Sequence, residues 1–179
     1  MPEGLSNSKI KLSLVQKCVK IRKKYPRDTV LQKEILMSDN LYKATIQYAG
    51  DEFFIGTTPS GHAQTIDAKG DRKSAPTPIE MLLVAVAACT AVDVISILEK
   101  KRQRVADYKV EIIGERRGEH PRAFTKFHIH HIVYGRDVSE QAVAQAIELS
   151  DTKYCSVAAT VRPTAEITTS FEIFESEKS

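Results

Sequence analysis

Cysteine is scarce in this 179-residue chain: three residues, at positions 18, 89 and 155, with no Cys-x-x-Cys spacing among them. Such a set cannot build a structural zinc site from thiolates alone, and its odd, sparse count argues against a disulfide-stapled secreted domain. A reducing, cytoplasmic setting is the expectation. Long apolar runs are missing as well. The longest uncharged apolar stretch, Met81 to Val92, is twelve residues, short of what a bilayer requires, so no membrane span is expected. Charge of one sign is not in excess: 26 Lys+Arg against 23 Asp+Glu leave +3, which creates no electrostatic demand for a nucleic-acid partner. Glycine-rich phosphate loops, Gly-x-Ser-x-Gly elbows and His-Glu-x-x-His helices do not occur. What is present is an ordinary globular balance, 42% hydrophobic and 27% charged, enough for one sizeable core.

Two regions differ in character. Residues 1–40 carry a basic segment in which Lys9, Lys11, Lys17, Lys20, Arg22, Lys23, Lys24 and Arg27 meet no acid between Leu5 and Arg27. Ile10, Leu14, Cys18 and Ile21 recur at helical steps, which predicts a basic amphipathic helix ended by Tyr25-Pro26. This extension reads as an accessory element, with Cys18 a packing residue; a targeting or membrane-surface helix is the sharper alternative. Residues 41–179 form the second region, the main domain. It opens with short strands: Tyr42 to Ala49, a turn at Ala49 to Glu52, Phe53 to Ile55, and His62 to Asp67, followed by a polar loop over Lys69 to Pro76.

Thr77 to Lys101 is the most informative stretch. Thr77 can cap a helix, Pro78 suits its first position and Glu80 can close a capping box. Met81 to Val92 then shows no polar face, and a helix apolar all round must be buried all round. A chain of this size rarely surrounds a helix by itself, so a partner subunit is expected on its far side. Beyond it, Tyr108 to Glu115 and Thr125 to Tyr134 read as long strands. A helix is expected from Asp137 to about Leu149, and Ser150-Asp151-Thr152 reads as an interruption that recaps a short helix holding Cys155. Thr164 to Phe174 reads as a final strand. The class is α+β.

The run Pro76-Thr77-Pro78-Ile79-Glu80-Met81-Leu82-Leu83-Val84-Ala85-Val86-Ala87-Ala88-Cys89-Thr90-Ala91, followed by Ser150-x-x-Lys153-Tyr154-Cys155-Ser156 and supported by Tyr134-Gly135-Arg136-Asp137, resembles the OsmC/Ohr family in its YhfA-type branch. The resemblance covers roughly Tyr42 to Ile173. It implies an intertwined homodimer of OsmC-like fold, in which antiparallel strands wrap a long buried central helix. It also implies a cytoplasmic thiol peroxidase that reduces organic hydroperoxides in oxidative-stress defence, with no resident cofactor and an external dithiol as reductant. Cys89 would be the peroxidatic thiolate and Cys155 the thiol that resolves its sulfenic acid.

Two departures keep a second reading open. Family members place a catalytic glutamate directly after the helix-opening proline; here Ile79 occupies that place and Glu80 follows it. One residue turns a side chain by about 100°, so Glu80 is either a displaced catalytic acid or the cap alone. The thiolate-stabilising arginine expected after the first strand is replaced by Asp51 and Glu52, and Arg72, Arg116, Arg117 and Arg122 substitute by charge only. Asp93, one turn beyond Cys89, would oppose ionisation if it shares that face. The alternative is therefore a non-catalytic small-molecule-binding or redox-sensing dimer, holding an apolar ligand in a pocket at the subunit boundary. His128 and His130 share a strand face, which is read as solvated rather than metal-binding.

Overall fold

The computed structural model describes residues 42–176; the expected basic helix, Cys18 and the whole 1–40 extension lie outside the described residues. These fall into two units, 42–46 with 56–63, and 47–55 with 64–176. The smaller unit holds a turn in which the backbone N–H of Thr58 donates to the His62 carbonyl at 3.0 Å and Gly61 takes a φ of +82°.

The strands and helices follow the order β1 (Thr45–Gly50), β2 (Phe53–Thr57), β3 (Ala63–Asp67), α1 (Pro78–Lys100), β4 (Arg104–Arg116), β5 (Phe124–Arg136), α2 (Glu140–Leu149), a π-helical turn (Ser150–Tyr154), α3 (Ser156–Val161) and β6 (Glu166–Glu175). This is the expected α+β class. One sheet runs β1-β2-β3 and the other β4-β5-β6. The β1–β2 connection is tight, with Asp51 and Glu52 both left-handed at φ 48° and 58°, as a two-residue hairpin loop of right-handed twist requires.

The second sheet is mixed. β4 and β5 are antiparallel, whereas β6 pairs with β5 in parallel, Ile129 opposite Thr169 and Val133 opposite Ile173. The reason is the connection: parallel neighbours need a long crossover, here supplied by α2, the π turn and α3. α2 begins at Glu140, later than expected. Asp137 is left-handed at φ 53°, and Ser139 is the cap, accepting from the Ala142 N–H at 3.4 Å.

Along β5 the alternation is regular. Phe127, Ile129, His131 and Val133 point inward, while His128 and His130 point out. Val133 joins Val94 and Leu98 of α1 and Val143, Ala146 and Ile147 of α2 in the principal core, and Phe124, Phe127 and Ala165 make a second cluster. α1 buries Val86, Thr90, Val94 and Leu98, a single stripe at four-residue steps. Its opposite side stays open in the single chain, with Val84 and Val92 65% and 66% exposed. At 23 residues this helix is long and apolar enough to cross a bilayer, although the uncharged run within it is shorter. Its packing against β4, α2 and α3 identifies it as the core helix of the domain.

His131 is the polar member of the inward row. It is fully buried, its Nδ1 lies 2.6 Å from the Tyr108 hydroxyl, and its Nε2 has no hydrogen-bond partner among the described residues. Burial, with a smaller contribution from His130, pushes it down to about 4 from 6.5; burial likewise raises Tyr108. The folded state therefore binds a proton at His131 less readily than the unfolded chain does. Its contribution is intact above pH 6.5 and is lost as pH falls through about 4. Urea unfolding should show about 3 kcal/mol less stability from this site at pH 4 than at pH 7, at about 1.4 kcal/mol per pKa unit. His131→Phe should flatten that acid-side slope; an unchanged slope would mean that other groups carry it.

Candidate functional site

α1 starts where the sequence places it. Glu80 N–H donates to Thr77 Oγ1 at 3.4 Å, Thr77 N–H donates to Glu80 Oε2 at 2.7 Å, and Pro78 opens the first turn. Thr77 Oγ1–H also donates to Glu80 Oε2 at 2.7 Å, so the backbone and side-chain donors of Thr77 converge on this carboxylate. These bonds, the backbone one foremost, hold Glu80 below the usual carboxylate range. Glu80 precedes Cys89 by nine residues, a rise of about 13 Å along a helix axis.

Further along α1, Cys89 and Asp93 stand four residues apart and hence on one face. Thr90 and Asp93 reach the π turn. Ser150 Oγ, fully buried, lies 3.0 Å from Thr90 Oγ1 and 3.0 Å from Asp93 Oδ2. A carboxylate only accepts, so the serine O–H is the donor towards Asp93, and it is directed at Thr90 Oγ1 as well.

The segment after Ser150 is not the interruption expected from Ser150-Asp151-Thr152. α2 runs on through one π-helical turn, closed where Cys155 N–H donates to the Ser150 carbonyl at 2.9 Å. The break falls on Cys155 itself, at φ −70° and ψ 97°, because this residue is the cap of α3 and its Sγ accepts the Ala158 N–H at 3.3 Å. Asp151 and Arg162 form an ion pair that ties the π turn to the far end of α3.

These elements bring Cys89 Sγ, Cys155 Sγ and a carboxylate oxygen of Asp93 within 4.8 Å of one another. The two thiols meet inside one chain, and no second subunit is needed to join them. Cys155 is buried and Cys89 half-buried, and both are free thiols. Burial pushes Cys155 up to about 11, reinforced by the adjacent Cys89 sulfur and the Asp93 charge and opposed by the Ala158 N–H. No cation acts on it among the described residues.

Of the four arginines considered as substitutes, Arg72 and Arg116 are engaged elsewhere. Arg72 forks onto buried Asp67, Nε to Oδ2 at 2.8 Å and a terminal nitrogen to Oδ1 at 2.9 Å, and also reaches Asp51. With Ser74 Oγ donating to Asp67 at 2.6 Å, this ties down the loop before α1 and holds Asp67 far below its ordinary value. Arg116 donates to the Arg122 carbonyl at 2.7 Å and stacks over Phe124. On the outer sheet face, His128 pairs with the hydroxyls of Thr168 and Ser170, and His130 with Ser170.

Of the residues singled out from sequence, the fold joins Cys89, Cys155 and Asp93 and leaves Glu80 in the cap. Ser150 and Thr90 stand in the sequence only as members of longer runs, with no role at the site assigned to either hydroxyl. The available signal was a hydroxyl five residues before Cys155, and another three residues before Asp93 on the helix of Cys89.

A family described as OsmC-like protein matches residues 69–170. Protein YhfA of Escherichia coli strain K12 is 44% identical over 131 residues, covering 73% of this chain and 97% of the relative. Among solved structures, a hypothetical protein of Aquifex aeolicus VF5 is similar at 35% identity with a TM-score of 0.69, covering 77% of this chain and 99% of that one. The organic hydroperoxide resistance protein OhrB of Bacillus subtilis shares the fold, at 12% identity and a TM-score of 0.53, over 75% of this chain and all of that one.

The electrostatics of the pair are open to measurement. With Cys155 raised from 9.0 to about 11, its thiolate fraction at neutral pH falls about a hundredfold below that of an unperturbed cysteine. Mass-spectrometric alkylation with iodoacetamide should modify Cys89 well before Cys155. Asp93→Asn removes a charge that opposes ionisation, so it should speed the reaction at Cys155; a slower reaction would reverse the sign assigned to Asp93.

Proposed function

The chain belongs to the OsmC-like protein family, and from that premise we propose that it is a dithiol peroxidase acting on organic hydroperoxides. The approach of Cys89 and Cys155 within 4.8 Å carries this reading. Cys89, the more accessible thiol, attacks the peroxide: its sulfur bonds to the outer oxygen, the O–O bond breaks, and an alcohol leaves with the thiol proton. The resulting Cys89 sulfenic acid is attacked by Cys155, which forms the disulfide and releases water. A dithiol of the surrounding reducing compartment, the cytoplasm in this reading, then returns both thiols and becomes a disulfide itself. Glu80 enters through the cap that fixes the start of α1.

Thiol attack needs thiolate, and the site has a carboxylate where a cation would assist. That observation favours a second reading, a slow redox sensor or small-molecule-binding protein that uses the same pair. Rate separates the two.

We place the working form as a homodimer. The motivation is α1, whose apolar side at Val84 and Val92 is uncovered in the single chain. A second copy laid against this side would cover it.

Consumption of cumene hydroperoxide with excess dithiol should proceed catalytically and fall at least about a hundredfold in Cys89→Ser, in line with loss of a nucleophile. In Cys155→Ser, a single turnover should be followed by over-oxidation of Cys89 to the sulfinic acid. Peroxide consumption unaffected by Cys89→Ser would remove the enzymatic assignment, and stoichiometric sulfenic acid without turnover would establish the sensor. Analytical ultracentrifugation should give twice the chain mass, with a shift towards monomer in a Val84→Glu, Val92→Glu variant; a monomeric parent protein would refute the dimer.

A further inference from the structure

The thiol pair and Asp93 have the composition of a metal site as well as of a redox site. Two sulfurs and a carboxylate oxygen lie within 4.8 Å of one another. Tetrahedral zinc, with bonds of about 2.3 Å to sulfur and 2.0–2.2 Å to oxygen, holds its ligand atoms about 3.5–3.8 Å apart. Side-chain rotation of about 1 Å would close the set. We propose that the reduced protein binds one thiophilic divalent cation, Zn2+, through Cys89 Sγ, Cys155 Sγ and the Asp93 carboxylate.

Three features of the structure favour this occupant. The first is charge. Ionised, the three donors sum to −3, and no cation acts on Cys155 among the described residues. A dication cancels two of those charges. The second is the outer shell. Ala158 N–H points at Cys155 Sγ at 3.3 Å, and Ser150 O–H points at Asp93 Oδ2 at 3.0 Å. Donors behind ligand atoms orient them and help to set their basicity, and such contacts are characteristic of protein zinc sites. The third is the mounting. Cys89 and Asp93 rise from one helix, Cys155 caps another, and buried Ser150 bridges to Thr90 and Asp93, so two of the three donors share a rigid element.

The binding step is a ligand exchange. Zn2+ replaces the two thiol protons, which pass to buffer, and no electrons move. Three protein ligands leave a fourth position for water. A Cys89–Cys155 disulfide has no thiolate to offer, so metal loading and oxidation exclude one another. The proposal rests on the sulfur proximity that underlies the peroxidase reading and not on peroxidase activity itself.

The test uses full-length, reduced, metal-free protein without any peroxide, so its outcome is independent of turnover. Titration with Co2+ should produce a thiolate-to-cobalt charge-transfer band that saturates at one ion per chain, and Zn2+ should displace the cobalt. The band should vanish in Cys89→Ser and in Cys155→Ser, and affinity should fall at least tenfold in Asp93→Asn. In the unmutated protein, which avoids any question of folding, Zn2+ should protect both Cys89 and Cys155 from iodoacetamide by at least tenfold. Absence of the band, its survival in either serine variant, or equal alkylation with and without Zn2+ would each overturn the site. Unchanged affinity in Asp93→Asn would overturn the role of the carboxylate.

Discussion

The hydroxyl of Ser150, buried between Thr90 and Asp93, is the contact on which the relation between the two thiols depends. It joins the middle of α1, which carries Cys89, to the start of the π turn, which leads directly into Cys155. A buried hydroxyl that lost one of these partners would carry a desolvation cost of about 1–3 kcal/mol, so the join is selective as well as attractive. The π turn contributes the rest. Its wider i→i+5 closure shifts the chain relative to a regular α-helix, and it delivers Cys155 to the cap of α3 with its sulfur facing α1.

Electrostatically, this is a site of one sign. Asp93 stands beside both sulfurs, while the guanidinium that could have answered it, Arg72, is bound to a different buried carboxylate. The Asp67–Arg72–Ser74 cluster is structural: it holds the loop that presents Thr77 for capping. A cation free to approach a thiol and a cation locked in a buried fork look alike in a sequence, and only the fold tells them apart.

Much of the architecture was legible beforehand because it rests on local rules. Thr77, Pro78 and Glu80 define the start of α1 through hydrogen bonds spanning three residues, and the strands announce themselves by alternation. Asp93 was suspect from its four-residue spacing to Cys89, and the helix places it as that spacing implies. Readings that depended on longer range fared otherwise. Ser150-Asp151-Thr152 has the composition of a helix break, yet tertiary bonds from Ser150 to α1 keep the chain helical there. His131 was indistinguishable from His128 and His130 by composition; parity along β5 sends it into the core to meet Tyr108, while its two neighbours pair with hydroxyls on the outer face. The parallel partner of β5 was equally invisible, since strand direction is set by a crossover and not by the strand.

That crossover has a consequence for synthesis. β4 and β5 are joined by a short connection and can pair as soon as both have left the ribosome, but the far edge of β5 waits for residues 166–175, which follow the whole α2–α3 crossover. Until then Phe127, Ile129 and Val133 lie on a two-stranded ribbon with an open edge. The nascent chain therefore passes through a stage in which its sheet is unfinished while the helices of the crossover are already present.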